Sequence, residues 1–167
     1  MNYMKIVEAD TKSGIGYRVT IFVSGCSVYP HCDKCSNKEA WDFNSGKPFT
    51  EDTKKEILYY LSKPYISGFS ILGGEPLIER NKEDMIDLCS SIKEIRPDIK
   101  IWVYTGNIFE NVKNDWYELL YNYVDVLVDG PYVDSKRDLR LKFRGSSNQR
   151  VIDVHKTYCE DKVIELI

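Results

Sequence analysis

Three cysteines fall within ten residues of one another, Cys26, Cys32 and Cys35, in the stretch GCSVYPHCDKCSN (25–37), spaced C-x5-C-x2-C with His31 against the second. Thiols this crowded are ligands for a soft metal centre. Three of them leave a cation one ligand short. Either a fourth protein group closes a structural site, or the open position binds something reactive. A structural zinc can be written in two ways, with His31 as the fourth ligand, or with Cys32 and Cys35 joined by His155 and Cys159 of HKTYC (155–159). The first is awkward because adjacent residues in extended backbone point to opposite sides, and the second leaves Cys26 unused. The alternative is a cubane iron–sulfur cluster on three thiolates, with one iron free of protein ligands and open to a small molecule. Such a centre carries radical chemistry that side chains cannot.

A second stretch bears on the choice. LGGEPL (72–77) sets two glycines after an apolar run, where backbone can approach a ligand closely, and Pro76 stiffens the exit. Alone it is a weak signal and reads more readily as a tight strand-to-helix turn. Other polar residues occupy similar places: Thr105 in YTG, Asp129 in VDG, and Arg144, Asn148 and Gln149 in FRGSSNQR. An Asp-Gly pair is also an ordinary turn. Cys89 lies on the apolar stripe of a helical segment and reads as core, and Cys159 and His155 as incidental.

The elements that must position these residues alternate in type. Short β-branched or aromatic runs at 18–23 (RVTIFV), 69–72 (FSIL), 101–104 (IWVY), 124–128 (VDVLV) and 150–154 (RVIDV) predict strands. Between them, 50–62 predicts a helix with Thr50 or Thr53 as N-cap, and 81–95 places Met85, Leu88, Cys89, Ile92 and Ile95 on one helical face, stopped by Pro97. A third, weaker helix is expected around 115–123. This rhythm predicts an α/β fold, an open partial (β/α) barrel with a mostly parallel sheet of about five to six strands and right-handed crossover helices. Five or so strands are too few for a closed eight-stranded barrel, which takes about 250 residues. In such folds chemistry collects at the C-terminal ends of the strands, where SGC, GGEP and YTG all fall.

The chain of 167 residues, 43% apolar and 13% aromatic, predicts a single domain over 1–167 with a substantial core. It has no apolar run long enough for a membrane span and no secretory leader, so a cytoplasmic protein is expected, and an odd count of five cysteines fits ligands better than disulfides. A net charge of −3 gives no case for nucleic-acid binding. Residues 136–150 nonetheless carry six basic side chains against one acid, a local +5 that leaves −8 elsewhere. That segment is a solvated loop or a partner surface.

Taken together these segments resemble the radical S-adenosylmethionine superfamily, and closely resemble the activating enzymes of anaerobic ribonucleoside-triphosphate reductase. The likeness runs in order through GYRVTIFVSGC, HCDKCSNKEAWDFNSGKPFT, GGEPL with the following ERN, IWVYTG, VDVLVDGPY and FRGSSNQRVI. It implies that Cys26, Cys32 and Cys35 hold a [4Fe–4S] cluster, that S-adenosylmethionine binds its open iron, and that Gly73, Gly74 and Glu75 meet the methionyl end. Lys34, Cys35 and Ser36 complete the implied cofactor contacts. The family usually spaces its first two cysteines by three residues, where this chain has five, and commonly carries a ring beside the third cysteine, where this chain has Lys34 and Ser36; Tyr29 or Trp41 could substitute. The implied activity is reductive cleavage of S-adenosylmethionine to a 5′-deoxyadenosyl radical, which takes hydrogen from a glycine of the reductase. The implied partners are that reductase and an electron donor such as flavodoxin, with neither nucleic acid nor membrane. The other readings are a zinc-stabilised binding module and an activase of a different glycyl-radical enzyme.

Overall fold

The computed structural model describes residues 1–167 and contains one open seven-stranded sheet. Its strands are β1 (Asn2–Asp10), β2 (Arg18–Val23), β3 (Lys47–Pro48), β4 (Gly68–Gly73), β5 (Lys100–Tyr104), β6 (Val126–Asp129) and β7 (Arg150–Asp153), in the order β3-β1-β2-β4-β5-β6-β7. The middle four, β2, β4, β5 and β6, are parallel. Both flanks are antiparallel: β1 pairs with β2 and β3, and β7 with β6. The mixed α/β class and the parallel centre are as predicted; the count of five to six strands is not. β1 was missed because its residues alternate only between half-buried and exposed, and β3 because two residues carry no periodicity.

Strand alternation sorts the sheet into two unlike faces. Val19, Ile21 and Val23, then Phe69 and Ile71, Ile101 and Val103, Leu127, and Ile152 all point one way and join one core of 25 buried residues. The helices α1 (Glu51–Leu61), α2 (Lys82–Ile95), α4 (Tyr117–Tyr123) and α5 (Val154–Glu160) feed that core with Ile57, Leu61, Met85, Leu88, Cys89, Ile92, Leu119, Leu120 and Val154, and α3 (Phe109–Val112) adds both ends of its single turn. Thr50 caps α1 in a reciprocal pair with Thr53, so both residues named from sequence belong to the cap. Cys89 is fully buried there, and desolvation pushes its thiol up to about 12.

The opposite face has no helix. Arg18, Thr20 and Phe22, Ser70 and Leu72, Trp102 and Tyr104, and Val126 and Val128 alternate onto it, and loops cover it. Arg18 is 1% exposed; its guanidinium donates to Ser70 Oγ (2.7 Å) and to the carbonyls of Ile15, Phe69 and Lys100, while Ser70 Oγ donates to Ser13 O (2.7 Å). This anchors loop 11–17. Farther along, Phe143 stands edge-on to Trp102 (ring centroids 5.3 Å apart) and pins loop 131–149 across the same face. The lower part of this face is thereby filled, and the part above the strand C-termini stays open.

Candidate functional site

β2 ends at Val23, and the chain turns at once into the cysteine loop. Gly25 N–H donates to Ala40 O (2.7 Å) and Cys26 N–H to Trp41 O (3.2 Å), so the loop closes back on itself. The turn after β4 is stitched to the same place: Gly74 N–H donates to Val23 O (2.9 Å) and Glu75 N–H to Gly25 O (2.7 Å). A Cβ on Gly73 would press into Val23 N and O, and one on Gly74 into Gly25 O and Ala40 O. Approach of the chain's own backbone, not only of a ligand, demands glycine there.

The three cysteines open on one cavity of about 590 Å³, whose walls also include Ser36, Gly73, Gly74, Glu75 and Trp41. That volume suits a nucleoside-sized ligand. The Cys35 thiol accepts the main-chain N–H of Asn37 at 3.4 Å. Burial pushes the Cys26 thiol up to about 11 and raises that of Cys32; both stay protonated at neutral pH unless a cation compensates the thiolate. Two further polar atoms, Tyr104 Oη and Arg144 Nε, are buried in residues that line the cavity and have no partner. Three half-buried thiols on one cavity, beside orphan polar atoms, fit a metal–sulfur cluster with an organic ligand next to it.

Zinc fits less well. No three His, Cys, Asp or Glu side chains form a group that could hold a single metal ion. His31 lies outside the cavity walls, its Nε2 3.2 Å from Cys26 O and its ring stacked on Trp41 at 4.1 Å. His155 and Cys159 meet each other on α5 at 3.6 Å, and His155 stacks on Tyr121 of α4, away from the cysteine loop.

Glu75 is fully buried at the cavity floor. Its Oε1 accepts from Leu77 N (2.9 Å) and Thr105 Oγ1 (2.8 Å), and Oε2 from Gly106 N (2.7 Å). Burial raises its pKa against the pull of these donors. The carboxylate therefore ties the turn after β4 to the turn after β5. Asp129 is likewise buried, accepting from Phe109 N (2.8 Å) at the start of α3 and pairing with Arg150, which also forks onto Glu110. It anchors β6, β7 and α3 together and does not line the cavity. Gln149 holds its loop by accepting from Gly145 N and donating to Gly130 O, and Asn148 donates to Pro131 O.

Lys34 is not among the cavity walls; its Nζ pairs with Asp134 at 2.9 Å. Tyr29 is 94% exposed, so of the two rings named from sequence Trp41 is the one that lines the cavity. Sequence reasoning missed Lys12, Tyr104, Tyr132 and Arg137, all cavity walls. Tyr104 had a signal, since alternation from Trp102 places it on the loop-covered face; the other three lie in loops whose path no local pattern encodes. The basic segment, read as outward surface, supplies Arg137 and Arg144 to the cavity while Arg140 and Lys142 stay exposed.

Comparison with known proteins agrees with this geometry. Residues 12–152 match the family described as 4Fe-4S single cluster domain. The chain is 41% identical over 151 residues to the anaerobic ribonucleoside-triphosphate reductase-activating protein of Enterobacteria phage T4, covering 90% of this chain and 93% of that one. It is 38% identical to the proteins of the same name from Pasteurella multocida (89% and 95% covered) and Escherichia coli K12 (90% and 97%).

Proposed function

The chain belongs to the family of anaerobic ribonucleoside-triphosphate reductase-activating proteins, and on that premise we propose that it uses a [4Fe–4S] cluster and S-adenosylmethionine to place a glycyl radical on the reductase. The convergence of Cys26, Cys32 and Cys35 on one cavity carries the reading. Held by Cys26, Cys32 and Cys35, the cluster would supply the electron for reductive cleavage of S-adenosylmethionine, the source of the radical chemistry.

The side chains divide the remaining work. Cys26, Cys32 and Cys35 ligate, and the Asn37 N–H fixes the Cys35 thiolate in direction. Gly73 and Gly74 keep the turn after β4 close to the cysteine loop, and Glu75 and Thr105 hold the floor on which the methionyl end rests. Cys35 and Ser36 offer the cavity their own edge, whereas Lys34 acts from outside it. Trp41 gives an aromatic wall for the adenine. Lys12, Arg137 and Arg144 set cations around a cavity whose acidic walls are Glu75, committed to three donors, and Asp138, paired with Arg140; this balance favours a carboxylate-bearing ligand.

No helix is long and apolar enough to cross a membrane, and we place the protein in the cytoplasm with a flavodoxin-type donor. The chain acts as a single radical S-adenosylmethionine domain over 1–167, its one-sided sheet an open arc of a (β/α) barrel, and the reductase's glycine-bearing segment closes the mouth. The test is anaerobic reconstitution followed by iron and sulfide analysis, 5′-deoxyadenosine release, and electron paramagnetic resonance of the cognate reductase. A brown protein that forms a glycyl radical in proportion to deoxyadenosine is expected. A colourless, zinc-replete protein would refute the reading.

A further inference from the structure

Arg80 stands in the short helical turn Glu79–Asn81 that follows the turn after β4 and leads into α2, and it does not line the cavity. Its guanidinium nevertheless spans the neck of the cysteine loop. Nη2 donates to Ser24 O (3.1 Å), where the loop leaves β2, and Nη1 donates to Phe43 O, where the loop returns. The Phe43 ring also lies under the guanidinium, its centroid 5.3 Å away. Each of the three carbonyls before Cys26 therefore accepts a donor from the connection between β4 and α2: Val23 O from Gly74 N, Ser24 O from Arg80, and Gly25 O from Glu75 N. Gly25 stands at φ +90°, and a Cβ there would meet the Phe43 ring at 3.0 Å and Arg80 Nη2 at 3.1 Å. The residue next to the first cysteine thus has no side chain where the clamp closes.

We propose that Arg80 is a positioning residue for the cluster. By tying both ends of the cysteine loop to the connection after β4, it fixes Cys26 relative to Gly73, Gly74 and Glu75, and so the cluster relative to the ligand of its open iron. The inference rests on the ligation reading above. Two carbonyls from opposite ends of the loop meet two N–H groups of one planar cation, a fork that the single ammonium of a lysine does not present. Partners that orient metal ligands without touching the metal typically change metal affinity by about 10–100-fold when removed.

The experiment uses the anaerobically reconstituted full chain. Three thiols remain in Arg80→Met, so it should take up iron and sulfide at the parent's level. It should then release iron to a chelator at least about tenfold faster, and the electron paramagnetic resonance spectrum of its reduced cluster should need about tenfold more S-adenosylmethionine to change. Arg80→Lys keeps the cation without the fork and should stay nearer to Arg80→Met than to the parent. Arg96→Met reports what loss of a carbonyl clamp does to the fold alone, because Arg96 grips the carbonyls of Leu61, Lys63 and Ile66 before the N-terminal ends of β4 and β5. It should lower the Tm of the apoprotein and leave iron release and the spectrum unchanged. An Arg80→Met protein with the parent's iron release and spectrum, or full recovery in Arg80→Lys, overturns the clamp and leaves the ligation reading standing. A parent that takes up no iron overturns both.

Discussion

Glu75→Gln tests whether the cavity floor is held as described. The carboxylate accepts three donors from two turns, two on Oε1 and one on Oε2. An amide can keep the first two on its carbonyl oxygen. It then turns its NH2 towards Gly106 N–H, donor against donor, in a site fully closed to water. The loss is one charge-assisted hydrogen bond of about 1.5–3 kcal/mol and a stranded buried N–H of about 1–3 kcal/mol. Removing the charge also removes its desolvation cost, the same cost that raises the Glu75 pKa, and this brings the net destabilisation to roughly 2–3 kcal/mol. In a chain of this length, about 2–4 °C of melting temperature accompanies each kcal/mol. Thermal unfolding of the apoprotein under anaerobic conditions, followed by circular dichroism, should therefore show Tm lower by about 5–10 °C. Thr105→Val, which removes one of the three donors and keeps the charge, should fall between variant and parent. Because Gly106 packs against Val28 of the cysteine loop, S-adenosylmethionine affinity of the reconstituted Glu75→Gln protein should fall as well. A Glu75→Gln protein that melts with the parent would show that the carboxylate does not fasten the two turns, and the floor would need another explanation.

Single replacement of Cys26, Cys32 or Cys35 by alanine should abolish visible iron–sulfur absorbance, while Cys89→Ala and Cys159→Ala keep it; loss of colour in Cys159→Ala would put a cluster ligand on α5 and contradict the triad. Gly74→Val should lose iron as well as S-adenosylmethionine, since the new side chain meets Gly25 O and Ala40 O, and full iron content with unimpaired binding would contradict the placement of the turn. Arg150→Met should cost about 3 kcal/mol by stranding Asp129, which is 1% exposed in side chain. Arg150 also lowers the pKa of Glu110, so this part of the parent's stability is present above the ordinary carboxylate range and is lost as pH falls through the lowered value; denaturant titrations of the two proteins should converge as pH falls, and a constant gap would remove Glu110 from the network.

What could be read from the sequence followed from local periodicity. Apolar alternation marks β2, β4, β5 and β7 to within a residue or so, and β6 to within two, because their buried faces are β-branched and continuous. The 3.6-residue stripe marks α1 and α2, and the cysteine spacing marks the cluster loop. The seven-residue α5 went unread because its first residue, Val154, continues the apolar alternation of β7. The site was legible only in its covalent part. Its hydrogen-bonded part joins Glu75 to Gly106, Asp129 to Phe109 and Lys34 to Asp134, pairs 20 to 100 residues apart in the chain. No window of sequence contains both members of such a pair together with a reason for their meeting.

The one-sided placement of the helices explains why so much of the site is loop. A parallel sheet buries both faces; here the helices cover one, and the other still carries Phe22, Leu72, Trp102, Tyr104 and Val128. Loops 11–17 and 131–149 take up that task, and they need polar anchors because irregular backbone brings unpaired N–H and C=O groups to a buried surface. Arg18 supplies one such anchor with four hydrogen bonds from a single side chain, and Gln149 supplies another. Both loops also supply cavity walls, Lys12 and Ser13 from the first and Tyr132, Arg137 and Arg144 from the second, and in the second Leu139 is 84% exposed and Arg140 and Lys142 face solvent. The same requirement that covers the sheet therefore carries basic, partly apolar chain to the cavity. Cover and cavity wall are one structural solution, which is why the basic segment contributes to both the cavity wall and the outer surface.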